Sequence, residues 1–242
     1  MGKKYLQIAL IFLSLISCNE QKNVKVTEDN ISAESDFKHH RDILDQHISS
    51  FYKDSEIVVL HEILRSGYPL DIYIIDSKKH KFKILITSGL SSFKMNIQKP
   101  EYQFAELMML VPKEFMFAEA YTGKHKNDWI IDALKISCRT TIDNNTFLYP
   151  GHTFQAKTEL GNSYSEHTKF TGSLILRSAT FDENFTKVQS GQSTINIYSL
   201  FPLYKEEYEF RLTVNFDKFL ELLILKNAKE VVDINRKSLL DK

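Results

Sequence analysis

The side chains best suited to chemistry lie in TSGLSSFKMN, residues 87–96, where Thr87, Ser88, Ser91 and Ser92 crowd around Gly89 after an apolar run, FKILI. A strand running into a Gly/Ser turn is where a nucleophilic serine or a phosphate-cradling loop sits. A serine nucleophile needs a histidine to take its proton and an acid to orient that histidine. Ser88 or Ser91 with His152, His167 or His61 would supply the parts. The spacing argues against both chemistries. The turn has no second glycine at the offset of a G-x-S-x-G elbow. It also lacks the lysine and second glycine of a phosphate loop.

Metal and cofactor chemistry fare no better. The eight histidines show no H-E-x-x-H or H-x-x-E-H spacing, and there is no C-x-x-C. His39 and His40 are adjacent and His47 lies seven beyond His40, whereas a helical metal pair sits three or four apart. Solvated histidines are the expectation. No glycine-rich dinucleotide fingerprint appears. The acids Glu206, Glu207 and Glu209 are expected on a solvated helix face, not as a catalytic pair. The sequence therefore leads to no catalytic, cofactor-binding or metal-binding residue.

The 242 residues, 43% hydrophobic and 26% charged, have ordinary globular composition and enough length for a sizeable core. Formal net charge is zero, so no basic field draws in nucleic acid. The beginning reads differently. Lys3 and Lys4 precede an apolar run too short to span a bilayer comfortably, which ends in Leu15-Ile16-Ser17-Cys18. This resembles the lipobox of a bacterial lipoprotein, with residues 1–17 as signal peptide and Cys18 as the lipidated N-terminus. Acyl chains on Cys18 would then attach the protein to a membrane, at about 0.8 kcal/mol per buried methylene. Asn19, in place of the Asp common in lipoproteins kept at an inner membrane, favours the outer membrane, with the domain in the periplasm. An acylated Cys18 leaves Cys138 without a disulfide partner, and its place in WIIDALKISC predicts a small buried apolar side chain.

Residues 18–35 read as a flexible tether and 36–242 as one domain. Ser35 is placed to cap a helix in which Phe37, Leu44, Ile48 and Phe51 share a face. EIVVLHEI, LDIYIID and FKILITS read as strands, the second with Leu70, Ile72 and Ile74 opposite Asp71, Tyr73 and Ile75. YQFAELMMLV is ambiguous, helical by propensity but short and stopped by Pro112. HKNDWIIDALKISCRT reads as a helix capped at Asn127 or Asp128. SLILRS and STINIYSLFPL read as strands, and the end as helices over YKEEYEFRLT and FDKFLELLILKNAKE. In the last of these, Phe216, Phe219, Leu220, Leu223 and Ile224 form an apolar stripe expected to be core. This order gives the α+β class.

Taken in order, LDIYIID, ITSGLSSFKMN, YQFAELMMLVP, NDWIIDALK, YPGHTF, TKFTGSLIL, TINIYSLFPLYKEEYEFRL and FLELLILKNAKEVVDINR resemble the suppressor of fused domain across roughly residues 56–240. The pattern falls on Thr87, Ser88, Gly89, Met95 and Asn96, on Glu106, on Gly151, His152 and Thr153, and on Pro202, Tyr204 and Glu206. The resemblance implies a mixed α/β domain with a central sheet flanked by helices, AELMML as a strand, no enzymatic activity, and a protein as partner. Bacterial members are often encoded as immunity proteins against secreted toxins. The signature residues are expected to be structural, with Gly89 permitting a positive φ and the serines satisfying turn amides. The expected function is a membrane-tethered protein-binding module, an immunity protein masking a toxin domain. The alternatives are an envelope small-ligand binder or hydrolase using His152, His167, Ser88 and Ser91, and a structural envelope lipoprotein.

Overall fold

The structure, a computed structural model, describes residues 7–9, 28–62, 69–117, 125–159 and 161–241, with 7–9 and 28–38 known by backbone alone. Cys18, its lipobox and the tether up to residue 27 lie outside the described residues. Helix α1, Glu28–Tyr52, starts before Ser35, so the helical segment extends into the stretch read as tether.

A twisted mixed sheet forms the centre. Strand β1 (Gln7–Ala9) pairs parallel to β2 (Glu56–His61). From β2 the sheet runs antiparallel through β3 (Asp71–Asp76), β4 (Phe82–Ser88) and β5 (Phe104–Pro112). The chain then leaves through α2 (Asp128–Asp143), β6 (Thr153–Gln155), β7 (Gly172–Leu176), the short helix α3 (Glu183–Thr186) and β8 (Lys187–Ser190). It returns as β9 (Ser193–Leu203), which lies parallel to β5 and antiparallel to β7 and β8. Helices α4 (Lys205–Thr213) and α5 (Phe216–Leu225) finish the regular elements.

Both faces of the sheet are covered, and the period-two alternation sorts its side chains cleanly. Tyr73, Ile75, Ile84, Ile86, Met108, Leu110, Ile195 and Ile197 pack with Leu44, Ile48 and Tyr52 of α1. Ile72, Ile74, Leu85, Leu107, Met109, Val111, Tyr198 and Leu200 pack with Trp129, Ile130, Leu134 and Cys138 of α2. A third cluster joins Leu174, Phe201 and Leu203 to Phe219 and Leu223 of α5.

The ambiguous AELMML run is the middle of β5. A strand covered on both faces is apolar at successive positions, so its composition mimics a buried helix. Tertiary position decides, since β5 is hydrogen-bonded to β4 on one side and β9 on the other. Where β9 diverges, the C-terminal segment takes its place, with Val232 N–H donating to Leu110 O at 2.8 Å.

Candidate functional site

The opening turn is built around a carboxylate. Glu106 projects from β5 and is fully buried. One of its oxygens accepts the amides of Gly89 and Ser91, both at 2.9 Å. The other accepts the Thr87 hydroxyl at 2.6 Å, whose oxygen in turn accepts Leu107 N–H at 2.8 Å. Thus Glu106, not the serines, satisfies the turn amides. Gly89 has φ 137°, a conformation that other residues adopt only with strain. Burial pushes the Glu106 carboxyl upward, against the hydrogen bonds from Ser91, Thr87 and Gly89. Met95 and Asn96 lock the far end of the turn. Met95 Sδ accepts Leu148 N–H at 3.2 Å, and Asn96 N–H donates to Thr146 O at 3.4 Å.

The histidines offered as partners for Ser88 and Ser91 are engaged elsewhere. His152 Nδ1 lies 3.2 Å from Phe147 O, and burial with nearby Arg211 lowers its pKa. His167 is exposed beside Glu166 at 3.8 Å. His61 Nδ1 lies 2.8 Å from Asp71, whose same oxygen faces Arg41 at 3.3 Å. No hydrogen bond or ring contact among the described residues joins these histidines to the serines. Of the helical histidines, His39 is exposed, as expected, whereas His40 and His47 are partly buried and packed. His47 Nε2 lies 2.8 Å from Phe185 O, and His40 stands 5.5 Å from the ring of Phe104. Among the described residues no group of three or more metal-ligating side chains converges.

A second buried carboxylate closes the far end. Glu207, expected on a solvated face, is completely buried, while Glu206 and Glu209 are exposed. Glu207 accepts both guanidinium ends of Arg236, the Tyr204 amide at 2.9 Å and the Leu239 amide at 2.7 Å. Arg236 also donates to Pro202 O at 2.9 Å and lies over the ring of Tyr204, 4.6 Å from its centre. The Tyr204 hydroxyl donates to Arg236 O at 2.6 Å. Pro202 and Tyr204 thus both take part in the hydrogen bonding that holds Arg236 and Glu207 in place. No local signal marks Arg236, because its partners lie about thirty residues upstream.

The α5 stripe is only half core. Phe219 and Leu223 are buried, but Leu220 is 37% and Ile224 72% exposed. These two, with Phe216, form one wall of a 580 Å³ groove whose other wall includes Pro150, Leu176 and Phe201. The next residue along that wall, Gly151, has φ 98°, and a Cβ there would lie 2.9 Å from Phe216 and 3.1 Å from Arg211. On the other side of this tight contact is a second cavity of 380 Å³, lined by Gly151, His152, Thr153 and Arg211. The signature step Gly151-His152-Thr153 thus lines this second cavity, in which Phe147, Phe154 and Leu212 stand beside Arg211 and His152.

The family model for suppressor of fused protein matches residues 66–237. The chain belongs to the suppressor of fused family. The fold agrees with this membership. A suppressor of fused homolog from Neisseria gonorrhoeae superposes with TM-score 0.63 at 14% identity, over 85% of this chain and 98% of that one. The suppressor of fused structure described as the Sufu-Fu complex gives TM-score 0.59 at 14% identity, over 83% of this chain and 92% of that one. Drosophila Suppressor of Fused gives 0.60 at 14% identity, over 83% of this chain and 51% of that one. A search of curated proteins finds no match to the sequence. The suppressor of fused family is one of non-enzymatic binding and regulatory proteins.

Proposed function

We propose that this suppressor of fused family member is a non-enzymatic protein-binding module, held at the bacterial envelope by lipid on Cys18, and that its partner is a toxin domain which it masks. The observation that carries the binding reading is the apolar face of α5. Leu220 and Ile224 stand exposed beside a groove, where a solvated helix would carry polar residues. Family membership supports the same reading, since one family structure is a complex with a protein, Fu. The groove's lining includes one cation, Arg177, and one acid, Glu230, beside its apolar side chains, which suits a partner segment that is mainly apolar. Membrane attachment rests on the Lys3–Cys18 pattern alone. On that reading, signal cleavage removes β1 and leaves β2 as the sheet edge.

The test places a photo-crosslinking residue at 220 or 224 in the full-length chain in its own cells, with a control at exposed Lys78. A specific polypeptide captured at 220 and 224 but not at 78, together with protection in a toxin-exposure assay, is the expected outcome. Equal capture at all three positions would overturn the surface, and loss of protection would overturn the immunity role. Metabolic labelling with a fatty acid, lost in Cys18→Ser, tests the anchor.

A further inference from the structure

Arg211 differs from other inward-facing arginines of this fold. Arg41, Arg139 and Arg236 each face a carboxylate, those of Asp71, Glu62 and Glu207. Arg211 faces none among the described residues. Its guanidinium donates to Val214 O at 2.9 Å and to Gly151 O at 2.7 Å, and its Nε is buried with no hydrogen-bond partner. The Phe216 ring lies 5.8 Å away. Carbonyl dipoles and a ring face answer part of the charge, but a guanidinium stays protonated and has five N–H groups to satisfy. This charge stands at the wall of the 380 Å³ cavity that His152 also lines. The His152 Nδ1 must carry the proton that Phe147 O accepts, so in the neutral ring Nε2 bears the lone pair. Protonation would turn Nε2 into a second donor. Among the described residues, Arg211 and His152 are the only ionisable ones lining this cavity.

We infer that the Arg211–His152 cavity is an anion site that takes a carboxylate carried next to an apolar group. A carboxylate fits because one planar guanidinium is the only permanent cation, with no lysine to balance a dianion. The apolar neighbour follows from the wall. The cavity's own lining continues from Arg211 onto Phe147, Phe154 and Leu212, so a ligand seated on the guanidinium sets its next group against apolar side chains. The source of the carboxylate as a partner polypeptide rests on the protein-binding reading above; the site itself does not.

The test follows the His152 ring by NMR in the full mature chain. The probes are N-acetylphenylalanine, which carries a terminal carboxylate, N-acetyl-Phe-Asp-amide, which carries a side-chain carboxylate, and N-acetylphenylalaninamide, which carries none. At least one carboxylate probe is expected to shift the His152 resonances and to raise its pKa, because a bound anion favours the imidazolium. The amide is expected to leave both unchanged. Which carboxylate binds distinguishes a chain terminus from an acidic side chain. Arg211→Gln should weaken the carboxylate probe about tenfold or more, and Arg211→Lys should weaken it less. Equal response to carboxylate and amide probes, or unchanged binding in Arg211→Gln, would overturn the site. If Arg211→Gln does not fold, the acid-against-amide comparison on the unaltered chain decides alone. Failure here leaves crosslinking at 220 and 224 untouched, so the two readings fail separately.

Discussion

Arg236 clasps the carboxylate of Glu207 with both ends of its guanidinium, and Glu207 at that point has no exposed surface. Removing either partner strands the other charge beneath Tyr204, Phe170 and Phe201, whose rings lie 4.6 to 5.2 Å from the guanidinium. A broken buried pair typically costs about 3–5 kcal/mol, whereas replacing both charges with apolar groups often costs far less. Glu207→Leu and Arg236→Met are each expected to lower the urea midpoint strongly, and the double variant to recover much of the loss. Denaturant unfolding of the three variants checks this. Additive losses would mean that the two residues act separately.

Gly172 carries a similar constraint in the backbone. It opens β7, where an added Cβ would stand 2.6 Å from the Tyr208 ring and 2.7 Å from Phe154 O. Tyr208 can swing, but the carbonyl belongs to the β6–β7 pairing and cannot move without opening it. Gly172→Ala should cost about 1–3 kcal/mol through overpacking. Gly191 is the control. A Cβ there meets nothing within 4 Å, so only its φ of 59° resists the change. Thermal melts should show Gly172→Ala as the more damaging of the two.

What the sequence made legible follows from range. The alternation in LDIYIID placed Ile72 and Ile74 against one layer and Tyr73 and Ile75 against the other, as the structure has them. Gly89 announced its positive φ through its turn composition. Residues 104–112 yielded only to the family resemblance, because a doubly buried strand lacks alternation. The misses are long-range. Glu207 looked solvated because its partner lies at position 236, and the serines of the turn looked like its caps because Glu106 reaches back from the next strand. Leu220 and Ile224 continue the core stripe of Phe219 and Leu223 in sequence. Nothing local says that the third layer ends before it covers them.

Glu106 gives the opening turn a pH dependence. Burial raises its pKa in the folded chain above the unfolded value, so folding takes up a proton between those two values. The contribution is fully present below the unfolded pKa and declines as pH rises through the folded one. Glu106→Gln keeps an oxygen for the Gly89 and Ser91 amides but presents an NH2 to Thr87, whose hydroxyl proton loses its acceptor. The variant should therefore be less stable than wild type at every pH, by about 1–3 kcal/mol. The deficit should be largest in acid and shrink as pH rises from the ordinary glutamate range. Guanidinium melts of both proteins across that range measure the difference, and a deficit that grows with pH would contradict the assignment.

His80 and His152 work in the opposite sense. His80 lies 2.9 Å from the Tyr52 hydroxyl through Nε2 and stacks on Phe82 at 4.8 Å. Desolvation first, then Lys79 and Lys113, lower its pKa from the usual histidine value. His152 is lowered likewise, by desolvation and by Arg211. A depressed histidine is neutral in the folded chain while its unfolded counterpart takes a proton. Its contribution is present above the unfolded pKa and is lost as pH falls through the folded value. The contribution of these two histidines should fall between about pH 7 and about pH 5, in opposition to the gain from Glu106 as pH falls. His80→Phe would keep the stack on Phe82 but leave the Tyr52 hydroxyl without its ring-nitrogen partner, so a modest loss near neutrality is expected. The decisive measurement is the slope. Unfolding midpoints of His80→Phe should fall less steeply toward acid than those of wild type, and an unchanged slope would mean that His80 titrates alike in both states.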